Sequence, residues 1–245
     1  MNTLMQEPVG QIVNRNYRTA DVFKKFGIDF CCGGKKPLQE ACEKKNIDPK
    51  ELEQVLLKVL NQTQEEVVNY SSWPLDLLAD YIEKKHHRYV EENIPLIQQY
   101  LHKVASVHGD HHPELIEVYQ LFNQCAEELG QHMQKEEQIL FPYIRQLVKA
   151  QRIGSVLEAP HFGTVENPIA MMEHEHDAEG NRFARIAALC DQYNPPADAC
   201  NTYKVTFAKL EEFESDLHTH IHLENNILFP QVIALEKKLN TVTLE

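Results

Sequence analysis

Two eleven-residue stretches, HMQKEEQILFP at 132–142 and HIHLENNILFP at 220–230, share one spacing: a histidine, a glutamate four residues on, then Ile-Leu-Phe-Pro. On a helix, residues four apart are turned by roughly 40° and lie about 6 Å apart along the axis. His132 with Glu136, and His220 with Glu224, therefore point to the same side. His87 and His176 repeat in step with them: 89 residues separate His87 from His176, and 88 separate His132 from His220. Burying four imidazoles and two carboxylates without partners is costly, and metal coordination satisfies all six together. Carboxylates can be shared between two cations while imidazoles terminate each set. The expected metal ligands are His87, His132, Glu136, His176, His220 and Glu224, as two half-sites of two His with shared Glu. Oxygen and imidazole donors without cysteine favour iron or manganese over a closed structural zinc site.

Such a site needs helices that meet at one level. Nine glycines, few alternating β-branched runs and abundant Glu, Gln, Leu and Lys predict an all-α chain. Breaks at SSWP (71–74), GDHHP (109–113), 152–168 and NPPAD (194–198) leave four long helical segments behind an amino-terminal region of about 70 residues. Each segment carries an apolar stripe at alternating steps of three and four, the face a bundle helix turns inward. The second stripe reads Leu115, Val118, Phe122, Cys125, Leu129, His132, Glu136, Ile139, Tyr143, and the third passes through Ile169, Met172, His176, Glu179 and Phe183. In an antiparallel hairpin, residues equidistant from the turn meet at one height. The midpoints of His87 with His132 and of His176 with His220 both fall in expected loops, so one level of an up-down four-helix bundle collects all four histidines. The division expected is a small helical domain over 1–70 and the bundle over 75–240.

The neighbouring polar residues are sorted by the same geometry. His86, His174, His218 and His222 lie off the inward positions and are expected at the surface or supporting the ligands. Glu128 and Glu175 adjoin the site and are candidates to orient ligands or carry protons. Pro142 and Pro230, each without a backbone donor, are expected to bend their helices at matching places.

In the amino-terminal region, residues 18–60 predict three short helices, with Thr19 and Asp48 as starts and Gly27 and Gly33-Gly34 as stops. DFCCGGKKPL sets adjacent thiols, Cys31 and Cys32, beside two lysines and a helix start at Pro37. Positive charge and a helix amino terminus lower a thiol pKa, so the pair is expected to be a redox or transfer site. The alternative is that both thiols only pack. Cys125 and Cys190 occupy inward positions and read as inert core.

Bulk properties exclude several functions. A net charge of -13, from 24 basic and 37 acidic residues, disfavours nucleic acid as a partner. No apolar run reaches the roughly 18 residues of a membrane span. The start, MNTLMQEPVGQIV, lacks the pattern of a secretory signal, which makes the cytoplasm the expected compartment and thiols the expected state of the six cysteines.

DFCCGGKKPLQEAC, HMQKEEQILFP, MMEHEHDAEG and HIHLENNILFP, in this order, resemble the di-iron proteins of iron-sulfur cluster repair, the repair of iron centres family. The resemblance spans nearly the whole chain. It implies a cysteine-bearing amino-terminal domain followed by a hemerythrin-like four-helix bundle with two Fe ions per chain, bridged by an oxo or hydroxo group and by carboxylates. The family's ligands fall on the six residues already reached from spacing. The implied function is repair of iron-sulfur clusters damaged by oxidative or nitrosative stress, through donated iron, with damaged cluster proteins as partners. The alternatives are reduction of nitric oxide at the two irons, which would make the protein an enzyme, and non-catalytic sensing of O2 or NO. A homodimer stays open. Oxygen-carrying hemerythrins use an additional histidine, so the resemblance implies more open and more labile irons here.

Overall fold

The computed structural model describes residues 4–61, 68–155 and 158–242. Among these residues there is no strand, only one isolated bridge between Pro8 and Pro37, and the protein is all-α as expected. By compactness the chain divides into one unit of Met1–Leu78, Leu147–Glu158 and Ile221–Glu245, and another of Ala79–Gln146 and Ala159–His220.

The first unit contains the helices α1 (Val9–Arg15), α2 (Thr19–Lys25), α3 (Leu38–Lys45) and α4 (Pro49–Leu60), with most of α5 (Leu75–Tyr81). The three helices expected between residues 18 and 60 are present, and α1 precedes them. Local chemistry explains their ends. Asp48 caps α4 by accepting from the Lys50 N–H at 2.9 Å, with Pro49 at the first helical position. Gly27 follows α2 at φ +64°, a left-handed conformation that a side chain would strain. Val9, Ile12, Phe23, Leu38, Leu52 and Leu56 are buried as the core of this unit. Its carboxy-terminal part is a π-helical turn, Glu224–Leu228, and α11 (Phe229–Val242).

The second unit is the four-helix bundle. Its limbs are the π-helical turn Ile82–His87 continued by α6 (Arg88–His108); α7 (Glu114–Lys135), a π-helical turn Glu136–Leu140 and the start of α8 (Phe141–Ile153); α9 (Glu166–Leu189); and α10 (Asn201–Leu223) up to His220. The predicted stripes are the buried ones: Val90, Ile97, Leu101 and Val104 on α6, Leu115, Val118, Phe122 and Cys125 on α7, Met172, Phe183 and Ile186 on α9, Leu210, Phe213 and Leu217 on α10. Phe213 anchors the centre, edge-on to Phe122 at 5.4 Å and stacked on Phe183 at 5.7 Å. Each such side chain contributes about 1.5–3 kcal/mol through burial.

One stripe departs from expectation. Ile139, predicted inward, is exposed at 38%, and Leu140 is buried in its place. The cause is the π turn Glu136–Leu140, which inserts an extra residue and rotates everything behind it. Both this turn and Glu224–Leu228 end two residues before a proline, Pro142 or Pro230. A proline ring collides with the carbonyl four residues earlier, and a widened preceding turn relieves the collision. The repeated Ile-Leu-Phe-Pro thus places a local bulge behind each glutamate.

Candidate metal centre

The second unit brings His87, His132, Glu136, His176 and His220 to one level, each no more than 3% exposed. His87 arrives at the end of its π turn, and Glu136 opens the next one. Glu224 opens the third, one turn after His220 on the same continuous helical run, so its fully buried carboxylate shares the side of that ring. Within the second unit the donor atoms form two overlapping groups, His87, Glu136 and His220, and His132, Glu136 and His176, with all atoms of a group within 4.8 Å of one another. Glu136 belongs to both groups.

The hydrogen bonds behind the rings decide which nitrogen faces inward. His87 Nδ1 stands 2.7 Å from Glu137 Oε1, and His132 Nδ1 stands 2.9 Å from Glu175 Oε2. A carboxylate only accepts, so each Nδ1 carries the proton. In the neutral ring Nε2 is then an acceptor, and both Nε2 atoms lie 3.3 Å from the same oxygen, Glu136 Oε2. His132 Nε2 also lies 3.1 Å from His176 Nε2. Lone pairs of nitrogen and oxygen that converge at such distances repel unless a cation sits among them. The donor set therefore fits a metal, and the carboxylate behind each ring is the support that raises imidazole basicity at metal sites.

Around these residues lies a further polar layer. Glu175 also accepts from Lys135 Nζ. Its hydrogen bonds to His132 and then to Lys135 lower its pKa to about 2, against the opposing effect of burial. His86, expected at the surface or supporting the ligands, is 2% exposed; its Nδ1 lies 3.1 Å from both oxygens of Asp216, and its ring stacks on His220 at 5.7 Å. His174 is exposed and His218 half-buried. Glu128 is given over to Arg182, whose Nη2 donates to it at 2.7 Å and whose Nη1 donates to the buried Glu179. Sequence reading did not single out Glu137 and Asp216. The available signals were local: Glu137 directly follows a ligand candidate, and Asp216 lies one helical turn before His220.

The cysteine loop in the first unit corrects one expectation. Asp29 organises it: Oδ1 accepts from the Cys31 and Cys32 N–H groups at 2.9 and 3.0 Å, and Oδ2 from Gly33 N–H at 2.9 Å. Asp29 Oδ1 also stands 3.2 Å from Cys31 Sγ, and the two sulfurs are 3.9 Å apart. The Cys31 thiol is pushed well up, by its hydrogen bond with Cys32, by burial and by the Asp29 charge, rather than lowered by the lysines. Lys35 and Lys36 are exposed. Donor atoms of Asp29, Cys31 and Cys32 nevertheless lie within 4.8 Å of one another. Cys125 and Cys190 are buried core, as expected, with thiols raised chiefly by desolvation, that of Cys190 to about 12.

No helix among the described residues is long and apolar enough to cross a membrane. Residues 5–60 match a domain of unknown function, DUF542, and residues 78–232 match the hemerythrin HHE cation binding domain. The chain is 36% identical over 231 residues to the iron-sulfur cluster repair protein YtfE of Musicola paradisiaca strain Ech703, across 94% of this chain and 98% of that one. It is 34% identical over 230 residues, with the same coverages, to the proteins of that name from Escherichia coli O8 strain IAI1 and Shigella boydii serotype 4 strain Sb227. A HHE cation-binding bundle behind a cysteine-bearing helical domain, shared over almost the full length, means that this chain belongs to the family of the iron-sulfur cluster repair proteins YtfE.

Proposed function

We propose that this chain is a non-haem di-iron protein that repairs iron-sulfur clusters damaged by oxidative or nitrosative stress, by supplying iron to them. The single observation that carries the reading is the sharing of Glu136 between two groups that each hold two histidines. A shared carboxylate with two imidazoles on either side matches a pair of cations better than one, and Glu224, one turn after His220, is the proposed second carboxylate. His87, His132, His176, His220, Glu136 and Glu224 are the proposed ligands, and two Fe ions per chain the proposed content. The bound irons supply a store of labile metal. The chain's own residues hold it: Glu137 and Glu175 keep the Nδ1 protons of His87 and His132 in place, so that Nε2 stays available. The side chain of Glu175 is 29% exposed and that of Glu137 36%, so protons that compete for the imidazoles can reach these supports from solvent. Damaged cluster proteins are the proposed partners, in the cytoplasm, and Cys31 and Cys32 with Asp29 are proposed to pass iron on.

The test is reactivation. The iron-loaded chain is incubated with a cluster enzyme inactivated by nitric oxide, beside a His132→Ala/His220→Ala variant. Activity restored by the former and not the latter supports the reading; no restoration, while free ferrous iron with a thiol restores it, overturns it.

A second reading has its own observation. An open, mostly apolar pocket of about 280 Å³, lined by Ile139, Leu140, Phe162, Met171 and Met172 with Lys135, His161 and Asn167 also on its wall, lies along the turn that carries Glu136. A small uncharged gas partitions into such a space. Sustained conversion of two NO with two electrons and two protons to N2O and water, in the presence of a reductant, would favour an enzyme over a repair donor.

A further inference from the structure

The carboxy-terminal part of the first unit hydrogen-bonds the cysteine loop through Asn226. Asn226 lies in the π turn Glu224–Leu228, two residues beyond Glu224, and is 8% exposed. Its Nδ2 donates to the carbonyl of Cys31 at 3.0 Å and reaches that of Phe30 at 3.3 Å. Its own backbone carbonyl accepts from Asn14 Nδ2 at 3.0 Å. Two glycines make room for it. A Cβ at Gly10, in α1, or at Gly34, beside the cysteines, would collide with the Asn226 side chain. His222, one turn earlier, packs edge-on against Phe30 at 5.7 Å and tilted against Tyr17 at 6.2 Å. The amide thus sits where two consecutive loop carbonyls, α1 and the Glu224 turn converge, and each neighbour is shaped to it.

Buried carbonyls require a donor, and an amide within reach of two of them at once ties the loop to the turn that carries it. The spacing matters because Asn226 and Glu224 share one short π turn, so the backbone that anchors the loop also aims the carboxylate. We infer that Asn226 is a positioning residue that registers the Cys31-Cys32 loop on the turn carrying Glu224, so that a change at the thiols alters how that carboxylate holds iron, and the reverse. The inference rests on Glu224 as a ligand, as proposed above. It gives the amino-terminal domain a defined part in iron release: a metal or a covalent cap on the thiols moves the Phe30 and Cys31 carbonyls, Asn226 follows, and the Glu224 turn shifts with it. Coupling of this kind is reciprocal.

The experiment is a double-mutant cycle on the full-length iron-loaded chain in a Cys200→Ser background, which removes the one cysteine of the six that is exposed. Wild type, Asn226→Ala, Cys31→Ala and the double variant are compared for iron release to a ferrous chelator and for alkylation of Cys32 by iodoacetamide. Each single variant is expected to release iron at least threefold faster, Asn226→Ala by freeing the loop carbonyls and Cys31→Ala by removing the thiol while the carbonyl stays; because both act through the one loop, the double variant should be no faster than the faster single one. Asn226→Ala should also raise Cys32 alkylation at least threefold. Multiplying effects, or an Asn226→Ala rate equal to wild type, would overturn the coupling; a residue that only stabilises the fold would speed release by the same factor whichever residue stands at 31. Should Asn226→Ala fail to fold, Gly34→Ala displaces the same amide from the loop side and must give the same pattern. If the wild type holds no iron, the ligand reading fails, and the coupling to Glu224 fails with it, while alkylation still decides whether Asn226 holds the loop.

Discussion

Glu137 Oε1 stands 2.7 Å from Nδ1 of His87, while the preceding residue, Glu136, sets Oε2 3.3 Å from Nε2 of the same ring. Consecutive glutamates on a π turn therefore bracket one imidazole, the first on its inward edge and the second behind it. In a regular α-helix adjacent residues diverge by about 100°, and here both open the π turn Glu136–Leu140.

This bracket predicts a separation between metal affinity and stability. Glu137→Gln keeps an oxygen that can accept from Nδ1 but removes the charge that makes the ring basic. Iron affinity is expected to fall roughly 10–100-fold, measured by chelator competition. The metal-free variant should unfold within about 0.5 kcal/mol of wild type. An affinity unchanged within twofold would show that Glu137 is only a surface acceptor.

Glu175 gives a pH dependence in the metal-free protein. Its pKa is lowered to about 2, first by His132 and then by Lys135. A carboxylate depressed in the folded state contributes stability above its unfolded pKa of about 4.3, and loses that contribution as pH falls toward 2. Glu175→Gln should therefore lower the urea midpoint at pH 5–7, with the difference closing as the pH approaches 2. A difference of constant size across that range would assign the loss to packing instead.

Arg182 carries a buried charge balance. Its guanidinium bridges Glu179, which is 3% exposed, and the exposed Glu128, and desolvation raises the Glu179 pKa despite that bridge. Removing one partner of a buried pair costs about 3 kcal/mol or more. Arg182→Met is expected to cost that much at pH 7. A carboxylate whose pKa is raised on folding penalises the fold above its unfolded pKa, so the cost should shrink as pH falls to about 4 and Glu179 takes up a proton. Denaturant titrations at the two pH values read this directly.

The spacing of like residues made the bundle legible. Hairpin midpoints set the height at which His87, His132, His176 and His220 meet, because an α-helix advances uniformly and errors of a residue or two at loops cancel between repeats. The π turns were not legible: Ile139 reads as inward in an α register, and only the extra residue of Glu136–Leu140 turns it out. Nor were the groups behind the rings, since Glu137 and Asp216 look like ordinary charges on Glu-rich and Asp-bearing helices until the facing limb is known. The thiol direction was misread for a related reason. Lys35 and Lys36 are near Cys31 in sequence, but the side chain beside the sulfur is Asp29.

The most direct test of the account is the metal content of the anaerobically purified chain beside its His132→Ala/His220→Ala variant, by elemental analysis. The account predicts close to two irons per chain, lost in the variant while the helical content is kept. Zinc at one per chain, or iron that the variant retains, would contradict it and reduce the repeated His-x-x-x-Glu to a packing motif.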